Sequence, residues 1–247
     1  MRPGRGFDYN ANVAQKGTVM PFTQFEPSLI AFLEQLAANN NRPWFVANKT
    51  RYEQEVLEPC LAFIRAFQPK LKRISPYFVA SDRRVGGSLM RVYKDSRFVK
   101  DGEPYKTNVG IQFRHEFGRD VHAPAFYVHI EPGSCFLAVG VWRPDSQSLA
   151  RVRQAIVDRP ALWRRAWNDR RFRGLFQPDG NRLKRPPLGF PADHPLVEDL
   201  KWTDFIGLRE IGEQDVLAAG FLEQVAQSFT AVRPIMRFLC DALQVPF

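Results

Sequence analysis

The chain has only three cysteines in 247 residues, Cys60, Cys135 and Cys240, odd in number and far apart. That excludes a disulfide scaffold, and without a C-x-x-C or an H-E-x-x-H there is no ligand spacing for zinc. Each cysteine stands in an apolar neighbourhood and reads as a buried free thiol, which implies a reducing, cytoplasmic setting. No apolar run approaches the roughly 20 residues of a membrane helix, so no membrane partner is expected. The first stretch, "MRPGRGFDYNANVAQKGTVM", lacks the apolar centre of a secretion signal and reads as a flexible arm over residues 1–20. Nucleotide and hydrolase signatures are missing too: there is no G-x-G-x-x-G, no G-x-S-x-G around Ser88 or Ser134, and no aromatic RNA-recognition signature. The chain therefore implies neither a cofactor nor a metal.

What is present is an ordinary globular composition, 45% hydrophobic and 25% charged. The length suits one substantial domain, placed at residues 21–247. The net charge is +9, and its location says more than its sum. Residues 65–106 hold 11 Lys/Arg against 4 Asp/Glu, residues 151–185 hold 11 against 3, and residues 186–247 reverse this with 4 against 9. Positive charge is concentrated in two segments, and the sequence leaves open whether they form one patch.

Helical periodicity marks "PSLIAFLEQLAANNN" from Pro27, then a region of about 44–72 that Pro59 should kink, then about 147–170 and about 214–243, the last bent by Pro234. Between 88 and 142 the period changes to two. "SLMRVYK", "NVGIQFRH", "AFYVHIE" and "CFLAVGVW" fit an antiparallel meander, and "EPGS" suits a type II turn with Pro132 and Gly133 at its centre. A hairpin centred there puts Phe126, Val128, Ile130, Cys135, Leu137, Val139 and Val141 on a core face. Tyr127, His129, Phe136, Ala138, Gly140 and Trp142 fall on the other. The Pro/Gly-rich run "LKRPPLGFPADHPLVEDLKWTDF" reads as an ordered loop wrapped on the core. The expected fold is α+β: a central antiparallel sheet packed with N-terminal and C-terminal helices.

The chemistry gathers in "RVYKDSRFVKDGEPYKTN", residues 91–108. Five cations (Arg91, Lys94, Arg97, Lys100, Lys106) stand there beside three acids (Asp95, Asp101, Glu103) and three rings (Tyr93, Phe98, Tyr105). Arginine offers a planar fork suited to phosphate or carboxylate, lysine a point charge. Tyr105, Thr107 and Asn108 add neutral donors. The candidate ligand-binding residues are Arg91, Lys94, Arg97, Tyr105, Lys106, Thr107, Asn108, Tyr127 and Trp142; the candidate acid/base groups are Asp95 and His129. The competing reading is a buried Asp–Arg network that pins a loop, with Lys100 and Glu103 merely solvated. His115, His122 and His194 read as structural or exposed, whereas His129 stands out through its predicted face.

These residues resemble a bacterial family, domain of unknown function 2461. Its hallmark is an R-x-x-R-D-x-R-F segment followed by Y-K-T-N. Arg91, Asp95, Arg97, Phe98, Tyr105, Lys106, Thr107 and Asn108 match it, and the likeness extends through "NNNRPWFVANKTRYE", "APAFYVHIEPG", "GVWRP" and "LKRPPLGFPADHP". Lys94 stands where arginine is typical and Gly102 where lysine is typical, which keeps one charge without its fork and removes another. The family brings no activity with it.

Three function classes emerge from the residues. The first is a protein, enzyme or not, that takes a small phosphate- or carboxylate-bearing ligand in a sheet-face pocket. The second is nucleic-acid binding through the two basic segments, with Trp163, Trp167 and Phe172 for stacking. A non-enzymatic interaction module is the third alternative.

Overall fold

Alternation of apolar and polar residues over 109–115, 125–130 and 135–141 makes strands whose odd and even positions face different surroundings. In the computed structural model, which describes residues 22–95, 102–118 and 123–247, these segments are β2 (Val109–His115), β3 (Ala125–Ile130) and β4 (Cys135–Val141). They pair antiparallel, with Tyr127 opposite Ala138 in the register the type II turn requires and Ile111 opposite Val128. That turn forms as expected: Gly133 has φ +75° and the Ser134 amide donates to the Glu131 carbonyl at 2.9 Å.

Three further strands complete one six-stranded sheet in the order β1-β2-β3-β4-β6-β5, every pair antiparallel: β1 (Phe78–Val79), β5 (Gln177–Asp179) and β6 (Phe205–Ile211). β6 is the departure from expectation. The meander read from periodicity stops at residue 142, yet this later strand lies inside the sheet against β4. Gly140 permits the approach: its φ is +113° and a Cβ there would run into the Phe205 carbonyl. Conversely, "SLMRVYK" forms no strand. It contributes only isolated bridges, Leu89 to Ile111 and Tyr93 to Tyr105.

The helices supply the apolar cover. α1 (Pro27–Ala38) starts at its proline, as expected. The expected 44–72 helix is divided into α2 (Arg42–Ala47), α3 (Lys49–Tyr52), a π-helical turn (Glu53–Leu57) and α4 (Glu58–Ile74), with Pro59 at the start of α4 rather than inside a longer helix. α5 (Ser146–Asp158), α6 (Pro160–Trp167) and α7 (Arg170–Leu175) replace the single helix expected over 147–170, broken at Pro160 and capped by Asp169. After α8 (Val197–Leu200) come α9 (Glu213–Leu217), α10 (Phe221–Ala231) and α11 (Arg233–Ala242), the break between the last two falling just before Pro234.

Phe67 of α4 stacks on Phe113, Phe229 of α10 packs on Phe126, and Phe172 lies beneath Gly207. Helices thus cover the odd-numbered face of β2 and β6 and the face of β3 and β4 that carries Phe126, Val128, Leu137 and Val139, and buried residues from Phe25 to Ala242 join one apolar cluster. Cys60, Cys135 and Cys240 are buried free thiols, as expected. None of the described helices is long and apolar enough to cross a membrane. The arm expected at residues 1–20 lies outside the described residues.

Candidate functional site

The sheet's second face carries Gly110, Gln112, Tyr127, His129, Phe136 and Ala138, most of them half-buried. Strand parity places Tyr127 and His129 side by side along β3, and Glu131 continues the same row just past the strand end. His129 is only 12% exposed and stacks on Phe136 of β4 at 4.4 Å. Both of its ring nitrogens are engaged. Glu131 Oε2 lies 3.1 Å from Nε2, and the Tyr127 hydroxyl lies 2.9 Å from Nδ1. A carboxylate only accepts, so Nε2 carries the proton; in the neutral ring Nδ1 then accepts from the Tyr127 hydroxyl. The Asn108 amide nitrogen is a longer second neighbour of Nδ1, at 3.4 Å. The Thr107 hydroxyl donates to the other oxygen of Glu131 at 3.1 Å. The result is a chain from Thr107 through Glu131 and His129 to Tyr127.

Burial, with the Glu131 charge adding to it, pushes the Tyr127 phenol up to about 12, so it stays protonated and can donate or relay a proton. Gly110 on β2 makes the space for it. A Cβ at that position would meet the Tyr127 hydroxyl at 2.7 Å and the Met90 sulfur at 3.0 Å.

Lys106 precedes Thr107 directly. Burial and the nearby Arg91 guanidinium lower the Lys106 pKa, and among the described residues no carboxylate lies within 4 Å of its ammonium. Two cations are thus held together, without a counter-charge among the described residues, at the end of the histidine chain. They arrive there on two arms that pair: the Lys106 amide donates to the Val92 carbonyl at 2.7 Å, and the Lys94 amide to the Pro104 carbonyl at 2.9 Å. Asn40 anchors the second arm by clamping Tyr105, donating to its carbonyl at 2.9 Å and accepting from its amide at 3.1 Å. Rings supply the hold from below, with Tyr105 stacked on Phe45 at 4.1 Å and Tyr93 leaning on Tyr105 at 5.4 Å. The aromatics of the motif therefore anchor the arms while the charges project from them.

Of the predicted site residues, Thr107, Asn108, Tyr127 and His129 join through hydrogen bonds and Glu131, and Lys106, with Arg91 near it, directly precedes Thr107. Tyr105 does not join them as a donor; it is 3% exposed and serves packing. Lys94 pairs with Glu103 at 2.9 Å, so Glu103 is not merely solvated. Asp95 is exposed, at the last described position of its arm. Arg97, with Phe98, Lys100 and Asp101, lies outside the described residues, as does His122. Trp142 is 53% exposed and stands six residues from Phe136, about 20 Å along an extended strand, with Arg143 over its ring at 4.7 Å. It belongs to the far end of the sheet. His115 and His194 are structural, His115 bonding to the Pro246 carbonyl at 2.7 Å and His194 accepting from the Leu196 amide at 3.1 Å. Trp163, Trp167 and Phe172 are core residues, 0%, 6% and 0% exposed, and cannot stack on a base.

Glu131 is the site residue that sequence reasoning missed. Its signal was the alternation that selects Tyr127 and His129, continued by one step, and its place at the head of the "EPGS" turn concealed it. Among the described residues no group of His, Cys, Asp and Glu could hold a metal ion. Two cavities, of about 390 and 610 Å³, lie among the helices, and none of the residues of the histidine chain lines either.

Neither the curated proteins nor the solved structures contain a match to this chain. A family model described as conserved hypothetical protein (DUF2461) matches residues 28–238, a span that includes the whole sheet and both arms. The chain belongs to the DUF2461 family of conserved hypothetical proteins.

Proposed function

We propose that this protein binds a small phosphate- or carboxylate-bearing molecule on the half-exposed sheet face, and that the Tyr127–His129–Glu131 chain moves a proton to or from it. The carrying observation is a half-buried imidazole with both nitrogens fixed, by a carboxylate at Nε2 and a phenol at Nδ1. Beside it stand two cations that have no counter-charge among the described residues. A carboxylate that orients an imidazole, which in turn accepts from a hydroxyl, is the arrangement general acid–base chemistry uses.

Lys106 and Arg91 hold the anion in this reading. The ligand's acidic group meets the Tyr127 hydroxyl; as it gives up a proton to the phenol oxygen, the phenol proton moves to Nδ1 and Glu131 stabilises the imidazolium. The raised Tyr127 pKa favours this relay over a standing tyrosinate.

A thermal-shift screen of nucleotides, sugar phosphates and di- and tricarboxylates tests the binding half, with wild type, Lys106→Ala and Arg91→Ala side by side. At least one anion should raise the wild-type Tm and lose most of that effect in both variants. If no anion stabilises wild type more than Lys106→Ala, the reading fails.

A further inference from the structure

The two basic segments converge, but on the helical side rather than on the sheet face. The cavity of about 390 Å³ is lined by Lys70 and Arg73 from the last turns of α4 and by Arg171 of α7. The adjoining cavity of about 610 Å³ is lined by Arg165 of α6 and by Arg233 and Arg237 of α11. Arg171, Thr230 and Ala231 line both, so the two form one continuous groove, and the small residues at the end of α10 make the shared floor. α11, from the acidic stretch 186–247, nonetheless contributes two of the groove's arginines.

The charge of this groove is poorly balanced. Glu223 is taken up by Lys70, Asp241 faces Arg159 at 3.9 Å, and Asp169 caps α7 by accepting from the Arg171 and Phe172 amides at 2.9 and 3.1 Å. That leaves Arg73, Arg165, Arg171, Arg233 and Arg237, all exposed and none with a carboxylate within 4 Å among the described residues. Like charges gathered along a concavity repel one another, and the field they create is focused there. A row of phosphates answers it, each guanidinium presenting a fork to one phosphate and releasing a condensed counterion.

We infer that this arginine groove binds the phosphodiester backbone of a double-stranded nucleic acid. The duplex is favoured over a single strand because single-strand binding needs exposed rings on which bases stack. Trp163, Trp167 and Phe172 nearby are all in the core, Trp163 and Trp167 stacked on each other at 4.7 Å. Phe238, the one ring lining the groove among the described residues, is 4% exposed with Arg159 over it and offers no open platform, so recognition is by backbone and shape, without base contacts. The site lies on the helical side, apart from the histidine chain, and stands or falls separately from the small-ligand reading.

Fluorescence anisotropy of the full chain with labelled duplex DNA, duplex RNA and single strands of equal length tests this. Binding to a duplex is expected at about 50 mM salt and should weaken roughly 10²- to 10³-fold by about 200 mM, the slope for some five phosphates. Each single change among Arg165→Gln, Arg171→Gln, Arg233→Gln and Arg237→Gln should lower the log–log salt slope by about 1. The quadruple variant should abolish binding, while Arg83→Gln with Lys184→Gln, exposed cations elsewhere, should retain most of it. The DNA-to-RNA ratio identifies which duplex is preferred, and either one supports the inference. Four results overturn it: no duplex binding at low salt, tighter binding of single strands, equal loss in the control variant, or capture by phosphatidylserine vesicles in preference to duplex.

Discussion

Glu131 Oε2 lies 3.1 Å from Nε2 of His129, two residues earlier on the same face of the sheet, and its other oxygen accepts from Thr107. A single carboxylate thereby fixes an imidazole tautomer and ties the end of the second arm to the strand that carries the histidine. Glu131→Gln should lose one of the two hydrogen bonds and weaken the other, because an amide presents only one acceptor oxygen and no charge. A loss of about 1–2 kcal/mol in denaturant unfolding is expected, consistent with charge-assisted hydrogen bonds. Nitrogen NMR of the imidazole should show His129 moving from a single tautomer to a mixture, a change that simple destabilisation would not produce.

Gly110→Ala probes the space beside Tyr127. The added methyl meets the Tyr127 hydroxyl at 2.7 Å and the Met90 sulfur at 3.0 Å, so one of them must move. Overpacking of this kind costs about 1–3 kcal/mol. Displacing the phenol from its half-buried place should also bring its titration, followed by ultraviolet absorbance, down from about 12 toward the ordinary tyrosine range.

Lys106 ties anion binding to pH. Burial and the Arg91 charge lower its pKa, so the ammonium is lost at a lower pH than in an exposed lysine. Affinity for any bound anion should therefore be full at neutral pH and fall on the alkaline side, earlier than ordinary lysine titration would place it. Lys106→Arg should keep binding and push that fall to higher pH. Isothermal titration across the alkaline range reads both curves, and identical pH profiles would reject the role of Lys106.

Asn40→Ala tests the anchor of the arms. It removes two hydrogen bonds to the Tyr105 backbone and leaves a mostly buried amide and carbonyl unpaired. The expected cost is about 1–3 kcal/mol, and hydrogen exchange should quicken along residues 102–108 more than in β3 and β4.

Asp204 governs the acid side of stability. Burial alone would raise its pKa, but the Arg143 and Asn181 amides, the Asn181 side chain and the Thr203 hydroxyl all donate to it and lower it. A depressed pKa in the folded state means its contribution is full above the unfolded value near 3.8 and is lost as pH falls through the folded value. Asp204→Asn should cost about 2–4 kcal/mol at neutral pH. Its thermal unfolding should also depend less on pH in the acid range than that of wild type.

Much of the site is legible in the sequence, because strand parity is a local property. Placing a type II turn at Pro132 and Gly133 aligns β3 with β4, and from that register come the core face, the Tyr127–His129 row and its Phe136 and Ala138 neighbours. The same logic over-extends to Trp142: parity gives the face of a residue but not its distance along the strand. The segment 88–94 alternates like a strand yet forms only isolated bridges, since a ladder needs a partner edge and β1 already occupies part of that side of β2.

What the sequence determined by itself was therefore whatever depends on neighbours a few residues away: helix starts at prolines, the turn, the two faces of the hairpin, the gathering of charge over residues 91–108 and the apolar setting of three thiols. Only the tertiary structure decided which distant segments meet. It placed β6 inside the sheet, clamped Tyr105 with Asn40 from 65 residues away, and joined arginines of α6, α7 and α11 around one groove. Those contacts are selected by burial of the whole apolar cluster against the entropy of closing long loops, a balance that no short window of sequence contains.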